Sequence, residues 1–279
     1  MTELIELENN LILVSLLITV CMQLSFFAVA YTLKIDKVTD FAGASNFIVL
    51  AAFTLWLGND FSLPKILATL MVCLWGFRLG GYLFYRILIW GEDHRFDKMR
   101  ERFWSFLGFW IMQMLWVFLL SLPVTYFNGM TGNFELTNLS YIGITMFGIG
   151  FVIESMADYT KFKHKLYGEK WCRTGMWAIS RHPNYFGNLF LWSGIYVYCY
   201  SHGVALWTII GLIWIIILLL FMSGINLLEA SANSKYGKDA EYKKYKAETS
   251  VLIPIPTSIY SKIPKSIRST FLLDFKMYN

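Results

Sequence analysis

The chain has 279 residues, of which 56% are hydrophobic, 18% aromatic and only 15% charged. This composition falls outside the range of ordinary soluble domains and predicts a protein whose main solvent is lipid. The formal net charge of +5 is divided among several short segments, which argues against a nucleic-acid interface. The cysteines are scattered without disulfide or metal-ligand spacing, so we expect buried thiols and no metal site.

Seven apolar runs are long enough to cross a bilayer, whose hydrocarbon core is about 30 Å thick. In chain order they are residues 11–33, 41–57, 66–90, 103–127, 139–158, 184–200 and 204–228. The first two are almost purely apolar, whereas charged or amide side chains recur from the third onward. The second and sixth are short, so six spans is the competing count. The sequence therefore predicts an all-α polytopic membrane protein with about seven transmembrane helices.

The basic residues between these runs indicate an orientation, because cytoplasmic loops retain Lys and Arg during membrane insertion. With seven spans, Lys65 is the one basic residue on the predicted outer side. The four predicted inner segments carry two basic residues (Lys34 and Lys37), four (within 95–102), six (within 161–181) and nine (within 235–276). The N-terminus is thus predicted outside and the C-terminus in the cytoplasm, in a bacterial inner membrane or the endoplasmic reticulum. The acidic first ten residues lack the basic region of a cleaved signal peptide, so we expect the first span to be retained.

Polar residues of the third and fifth runs share helical faces. Arg78 lies near the middle of the third run, where an ionised side chain needs an interior partner, and Tyr82 follows one turn later. The fifth run ends with Glu154, Asp158 and Lys161 at spacings of four and three residues. These three either hold one another ionised or bind ribose hydroxyls and a phosphate, and the spacing leaves both interpretations open.

The segment RHPNYFG stands immediately before the sixth run. Pro183 favours a helix start, because the first turn needs no amide donor from that residue. Arg181 and His182 precede a helix N-terminus, an arrangement that binds phosphate or simply anchors the helix to lipid headgroups. Asn184 and Asn188 then place two amides on one face.

The seventh run ends with Asn226, Glu229 and Asn233 on one predicted interior face. Gly237 is a helix stop, and residues 239–247 form a short basic amphipathic pattern that presents Tyr242, Tyr245 and Lys246. Such a helix is more often a contact with the membrane surface than a ligand site.

Several of these segments together resemble the C-terminal domain of the steroid 5α-reductase superfamily. They are ESMADYTK (154–161), WAISRHPNYFG (177–187), SGINLLE (223–229) and YGKDAEYKKY (236–245) followed by LIP (252–254). The chain looks closest to an uncharacterised branch that also carries a segment like RLGGYLFYR (78–86). RHPxYxG alone is less specific, because isoprenylcysteine carboxyl methyltransferases share it.

The resemblance implies a seven-helix membrane fold in which NADPH enters from the cytoplasm and an unsaturated lipid from the bilayer. In that family the Asn-aromatic element corresponding to Asn184 and Tyr185 holds the dinucleotide. The Tyr/basic segment of that family, which corresponds to Tyr242, Tyr245 and Lys246, also holds the dinucleotide. The pair Arg78 and Tyr82 matches an Arg-x-x-x-Tyr element of the cofactor wall. On this basis we expect one membrane domain, residues 1–279, with two apolar helices (11–65), a reductase-like core (66–254) and a cytoplasmic tail (255–279).

Two positions depart from the family pattern. Asn188 replaces a Glu that usually follows Asn-x-x-Gly, and Trp75 stands where the steroid enzymes place a Tyr on the substrate carbonyl. An indole N–H donates a hydrogen bond but supplies no proton.

The expected function is NADPH-dependent reduction of a carbonyl-conjugated C=C bond in a steroid-like or other membrane lipid. The alternatives are a methyltransferase that uses S-adenosylmethionine, related to the isoprenylcysteine carboxyl methyltransferases, and a non-catalytic sterol- or lipid-binding protein. The catalytic candidates are Tyr82, Tyr185 and Glu229. The cofactor-binding candidates are Arg78, Glu154, Asp158, Lys161, Arg181, His182, Asn184, Asn188, Asn226, Tyr236, Tyr242, Tyr245 and Lys246.

Overall fold

The computed structural model describes residues 2–35, 38–90, 99–168 and 170–278, with side chains from residue 10 onward. In these ranges helix is the only regular secondary structure. There is no strand, and one isolated parallel bridge joins Ser180 and Ser250. The long helices are α1 (Thr2–Leu33), α2 (Thr39–Gly58), α3 (Leu63–Trp90), α4 (Phe103–Gly129), α5 (Asn138–Leu166) and α6 (Pro183–Tyr200). The all-α prediction is confirmed. Lys37 and the charged stretch 91–98, both used above for orientation, lie outside the described residues.

After α6 the chain is built from shorter helices. They are α7 (Ile210–Ile217), α8 (Ile225–Tyr236), α9 (Ala240–Glu248), α10 (Thr257–Tyr260) and α11 (Lys265–Phe271). A wider π-helical turn, Leu218–Met222, separates α7 from α8. The predicted span 204–228 thus corresponds to the apolar segment Leu206–Tyr236, whose helix is interrupted at this turn. The break coincides with Gly224, where a β-carbon would lie 2.3 Å from the carbonyl oxygen of Leu219.

Six segments of the described chain are long and apolar enough to cross a membrane. They are Asn10–Leu33, Thr39–Gly58, Leu63–Trp90, Phe103–Gly129, Asn138–Leu166 and Leu206–Tyr236. Helix α6 forms where the sixth span was predicted, and it begins at Pro183 as expected. It is not among the six, because Asn184, Asn188 and several tyrosines dilute its apolar residues. The seventh span and the orientation stay predictions.

The chain divides into two compact units, each made of two segments. The first unit comprises Met1–Thr145 and Ser193–Trp214, and the second comprises Met146–Trp192 and Ile215–Asn279. Aromatic rings fill the core of the first unit. The ring of Phe47 lies 5.1 Å from that of Trp75 and 5.0 Å from that of Trp116, and Phe47 and Trp75 are fully buried.

Buried amides join α1, α2 and α4 within the first unit. Gln113 donates to Gln23 Oε1 at 2.9 Å and to the Thr39 carbonyl at 2.9 Å, and Gln23 donates to Asn46 Oδ1 at 3.0 Å. Hydrogen bonds between helices replace the water that lipid cannot provide. The two helices that read as almost purely apolar thus each contribute a buried amide.

Lys65 occupies the N-terminal turn of α3 and is fully buried. Its ammonium lies 2.9 Å from the Asp60 carboxylate and donates to the carbonyls of Asn128, at 3.2 Å, and Met130. These carbonyls end α4, so the lysine caps that helix. Burial acts to raise the pKa of Asp60, but hydrogen bonds from Lys65 and Ser62 outweigh it and lower that pKa.

In the second unit, the second half of α5 lies directly against the first half of α6. A β-carbon on Gly150 would lie 2.5 Å from the backbone nitrogen of Leu191, and one on Gly187 would lie 2.6 Å from that of Glu154. The two backbones therefore touch at glycines, as in membrane helix pairs built on small residues. This contact brings the polar ends of α5 and α6 side by side.

Candidate functional site

The carboxylate of Glu229 is the centre of a buried polar cluster in the second unit. Its Oε1 accepts from Arg181 Nε at 3.0 Å and lies 2.9 Å from His182 Nε2, while its Oε2 lies 3.4 Å from Lys246 Nζ. Glu229 is 3% exposed, Arg181 4% and His182 5%. We call these four residues the Glu229 cluster. A buried carboxylate with several cationic or N–H partners is well compensated, whereas the loss of one partner is costly.

Arg181 also binds the last turn of α9 and the residues that follow it. Its Nη1 donates to the carbonyls of Lys246 at 2.8 Å and Thr249 at 3.1 Å, and its backbone N–H donates to the Ser250 carbonyl at 2.8 Å. The guanidinium is thus an internal tie between the start of α6 and the end of α9. This explains why a cation two residues before Pro183 is buried here.

His182 has one ring nitrogen bound and one without a partner among the described residues. Because Glu229 Oε1 only accepts, Nε2 carries the proton and Nδ1 presents a lone pair in the neutral ring. Nδ1 is buried and accepts no hydrogen bond within the described ranges. Burial lowers the pKa of His182 and outweighs the opposing effect of Glu229, so the ring is neutral near pH 7. A neutral buried imidazole with a vacant acceptor fits a ligand O–H or N–H group.

Two amide and carboxylate pairs connect α5 with α6. Asn188 Nδ2 donates to Glu154 Oε1 at 3.1 Å, and Asn184 Nδ2 donates to Asp158 Oδ1 at 3.2 Å. One turn beyond Asp158, Lys161 holds its ammonium 4.7 Å from the Trp177 ring centroid. The predicted polar faces of the two helices therefore meet, and they end at a half-buried cation. Carboxylates, amides and an ammonium are the groups that bind ribose hydroxyls and phosphates.

Aromatic side chains surround α9. Tyr242 is buried, and its ring lies 5.2 Å from Trp171 and 5.7 Å from Tyr236. Tyr245 donates its hydroxyl to the Trp177 carbonyl at 2.7 Å. Burial raises the pKa of Tyr242 to about 12 and also raises that of Tyr245. Both phenols therefore stay protonated at neutral pH.

The remaining candidates are placed as follows. Arg78 and Tyr82 lie on α3 in the first unit, with the guanidinium carbon 5.9 Å from the phenol ring centroid. In the second unit, the Tyr185 ring stacks on His182 at 5.7 Å, Asn226 is half-buried on α8, and Tyr236 donates to the Lys170 carbonyl. Within the second unit, the structure thus brings together candidates of α5, α6, α8 and α9; Arg78 and Tyr82 belong to the first unit.

A family model described as a protein of unknown function (DUF1295) matches residues 26–249. The chain belongs to this family. No curated protein and no solved structure matches it. The matched range includes every candidate residue of this DUF1295 protein and ends at Thr249, beside the Glu229 cluster.

Sequence reasoning did not identify Asp274 and Tyr278 as participants in the DUF1295 protein's polar cluster, and it placed Asn233 on the interior face without naming it as a site candidate. Asn233 accepts from Lys246 Nζ at 2.7 Å, Asp274 lies 3.8 Å from Arg181 Nη2, and the Tyr278 carbonyl accepts from Asn233 Nδ2 at 3.2 Å. Asn233 had the expected helical spacing. Asp274 and Tyr278 lie in a short, mainly apolar stretch (271–279) without helical periodicity, so nothing in the local sequence linked them to the site. Among the described residues no group of His, Cys, Asp or Glu has the arrangement of a metal site.

Proposed function

We propose that this protein is a membrane-embedded, NADPH-dependent reductase of a carbonyl-conjugated C=C bond in a steroid-like or other lipid. The observation that carries the proposal is the meeting of α5 and α6, where Asp158, Asn184 and Lys161 adjoin the Glu229 cluster. The resemblance of the same segments to the steroid 5α-reductase superfamily supports it. When bound, NADPH supplies the hydride for the β-carbon of the conjugated bond, and a proton then goes to the α-carbon.

The residues of the second unit fit the polar half of such a cofactor. Lys161 offers a half-buried positive charge for a phosphate, and Asp158 is an acceptor for ribose hydroxyls. The vacant Nδ1 of His182 requires a donor, which a ribose hydroxyl or the nicotinamide carboxamide has. A buried acceptor without a donor costs about 1–3 kcal/mol, so a ligand that satisfies it gains that difference.

A hydrogen-bond donor at the substrate's carbonyl oxygen would stabilise the charge that develops during hydride transfer. Tyr82 and Tyr185 are our candidates for this donor. Glu229 supports Tyr185 indirectly, because it fixes the His182 ring on which Tyr185 stacks. An apolar bilayer cavity would keep water away from the reacting carbon atoms.

The test is a fluorescence titration of the detergent-purified protein with NADPH, repeated with Lys161→Ala. A charge-assisted contact is worth roughly 1.5–3 kcal/mol, so we expect the Kd to rise about 10- to 100-fold. Lys163→Ala is the matched control, because Lys163 is an exposed lysine of the same helix. If the wild-type protein does not bind NADPH, the proposed function is wrong. If both variants weaken NADPH binding equally, the cofactor site is elsewhere.

Two arms of the same experiment separate the alternatives. Saturable binding of S-adenosylmethionine without NADPH binding would indicate a methyltransferase, to which the RHPNYFG segment also corresponds. NADPH binding without turnover of any enone lipid would indicate a protein that has kept the fold and lost catalysis. Turnover should be measured directly, because Asn188 and Trp75 stand where the steroid 5α-reductases carry Glu and Tyr.

A further inference from the structure

Residues 257–278 form a compact segment that lies beyond the family match and contacts the Glu229 cluster. We call it the tail segment. It contains α10, α11 and a 3₁₀ turn (Lys276–Tyr278), and all of it belongs to the second unit. Arg268 stabilises it internally by donating to the Ile263 carbonyl at 2.7 Å and the Ser261 carbonyl at 2.8 Å. The same guanidinium donates to the Ala247 carbonyl at 2.9 Å and so ties the tail segment to α9.

Asp274 brings a second carboxylate to the cluster. Its Oδ1 lies 3.8 Å from Arg181 Nη2, and its Oδ2 accepts from the buried Tyr260 hydroxyl at 2.7 Å. Without the tail segment, the cationic Arg181 and Lys246 would share the single carboxylate of Glu229. Asp274 balances the charges, which matters because an uncompensated buried charge is strongly unfavourable.

Tyr278 holds the other cation of the cluster. Its backbone carbonyl accepts from Lys246 Nζ and from Asn233 Nδ2, and its hydroxyl donates to the Leu220 carbonyl at 2.6 Å. Leu220 belongs to the π-helical turn, where the helical hydrogen-bond pattern is irregular. Tyr278 therefore connects Lys246 with the break between α7 and α8.

We propose that the tail segment is a clamp that sets the positions of Arg181 and Lys246, with Asp274 and Tyr278 as positioning residues of the candidate cofactor site. The assignment of that site to a cofactor rests on the proposed function. The clamp itself rests on contacts within the second unit. Through Arg181 it also fixes the start of α6, where His182 and Asn184 stand.

The burial of the tail segment indicates that it stays bound to the second unit and is not displaced by a ligand. Tyr278 and Tyr260 are fully buried, and Tyr278 belongs to an apolar cluster with Leu220, Ile225 and Val251. Burial of one large side chain contributes roughly 1.5–3 kcal/mol, so an anionic ligand would have to overcome several such terms to displace the segment.

The first test measures the pKa of His182 from the exchange rate of its ring C2 proton by mass spectrometry, without any ligand. His182 is surrounded by Glu229 on α8, Lys161 on α5, Arg181 and the Tyr185 ring. Asp274→Asn removes a negative charge next to Arg181, so the less compensated guanidinium should lower that pKa by about 0.5 unit.

The control for this measurement is Glu241→Gln, which neutralises an exposed carboxylate of the same unit and should leave His182 unchanged. Tyr260→Phe is the milder second variant, because it keeps the ring and removes only the hydrogen bond to Asp274. It keeps the negative charge of Asp274 and so should shift the pKa by less than Asp274→Asn does. An unchanged His182 in both tail variants would overturn the clamp, whether or not NADPH binds.

The second test is NADPH binding by the same full-length variants. We expect Asp274→Asn to raise the Kd about tenfold, because Arg181 loses the carboxylate that lies 3.8 Å from its Nη2. We expect Glu241→Gln to leave the Kd within twofold. Tighter binding in Asp274→Asn would mean that the tail segment competes with the ligand, and it would overturn the clamp. If the wild-type protein binds no NADPH, the proposed function fails, and the His182 measurement alone decides on the clamp.

Discussion

Glu229 is the residue on which the polar interior of the second unit depends. One carboxylate receives Arg181, His182 and Lys246, which come from the start of α6 and from α9. The sequence placed Glu229 on an interior helical face but gave no means of choosing its partners. Arg181, two residues before α6, is the arginine that binds it.

Glu229→Gln should destabilise the protein by about 3–5 kcal/mol, because it leaves two buried cations facing a neutral amide. The measurement is equilibrium unfolding in detergent, followed by tryptophan fluorescence. Glu241→Gln, in an exposed pair with Arg173, should cost less than about 1 kcal/mol. Equal effects of the two substitutions would contradict a central role for the buried carboxylate.

At the scale of elements, local chemistry predicted what the helices do at their ends. Pro183 begins α6, Gly237 follows the end of α8, and α9 (Ala240–Glu248) covers the amphipathic pattern predicted at 239–247. The π-helical turn was missed because residues 209–222 carry only apolar side chains or glycine, and hydropathy does not register a change of helical hydrogen bonding. The amide contacts among α1, α2 and α4 were missed because each helix carries few amides and their partners are distant in sequence.

Gly187→Ala tests the contact between α5 and α6. The new β-carbon would lie 2.6 Å from Glu154 N and 2.8 Å from the Gly150 carbonyl oxygen, so the helices must separate. We expect a lower melting temperature together with weaker NADPH binding, because the separation strains the Asn188 to Glu154 bond. The control is Gly148→Ala on α5, where a β-carbon meets nothing within 4 Å. Its melting temperature should be equal or higher, since alanine favours the helix over glycine.

At the scale of the whole molecule, α6 decides the topology. Six spans place both ends of the chain on one side of the membrane, whereas seven place them on opposite sides. Helix α6 has 18 residues, about 27 Å at 1.5 Å per residue, which nearly matches the hydrocarbon core. Its asparagines lower its hydropathy, but both are hydrogen-bonded to carboxylates of α5 and need not face lipid. Contacts within the protein thus compensate the polar side chains that keep the hydropathy of α6 too low for a membrane span. The basic residues before α6, and their absence from the segment after it, favour a crossing.

Labelling of single cysteines with a membrane-impermeant maleimide tests this crossing. In a background without the four native cysteines, Arg173→Cys places an exposed thiol before α6 and Tyr200→Cys places one at its last residue. In sealed cells we expect Tyr200→Cys to react and Arg173→Cys to react only after permeabilisation, because the segment before α6 carries the predicted cytoplasmic charge. Reaction of both thiols in sealed cells, or of neither, would mean that α6 does not cross and that six spans is the correct count. The reverse pattern would keep the crossing and invert the orientation, which would place the Glu229 cluster on the side opposite to cytoplasmic NADPH.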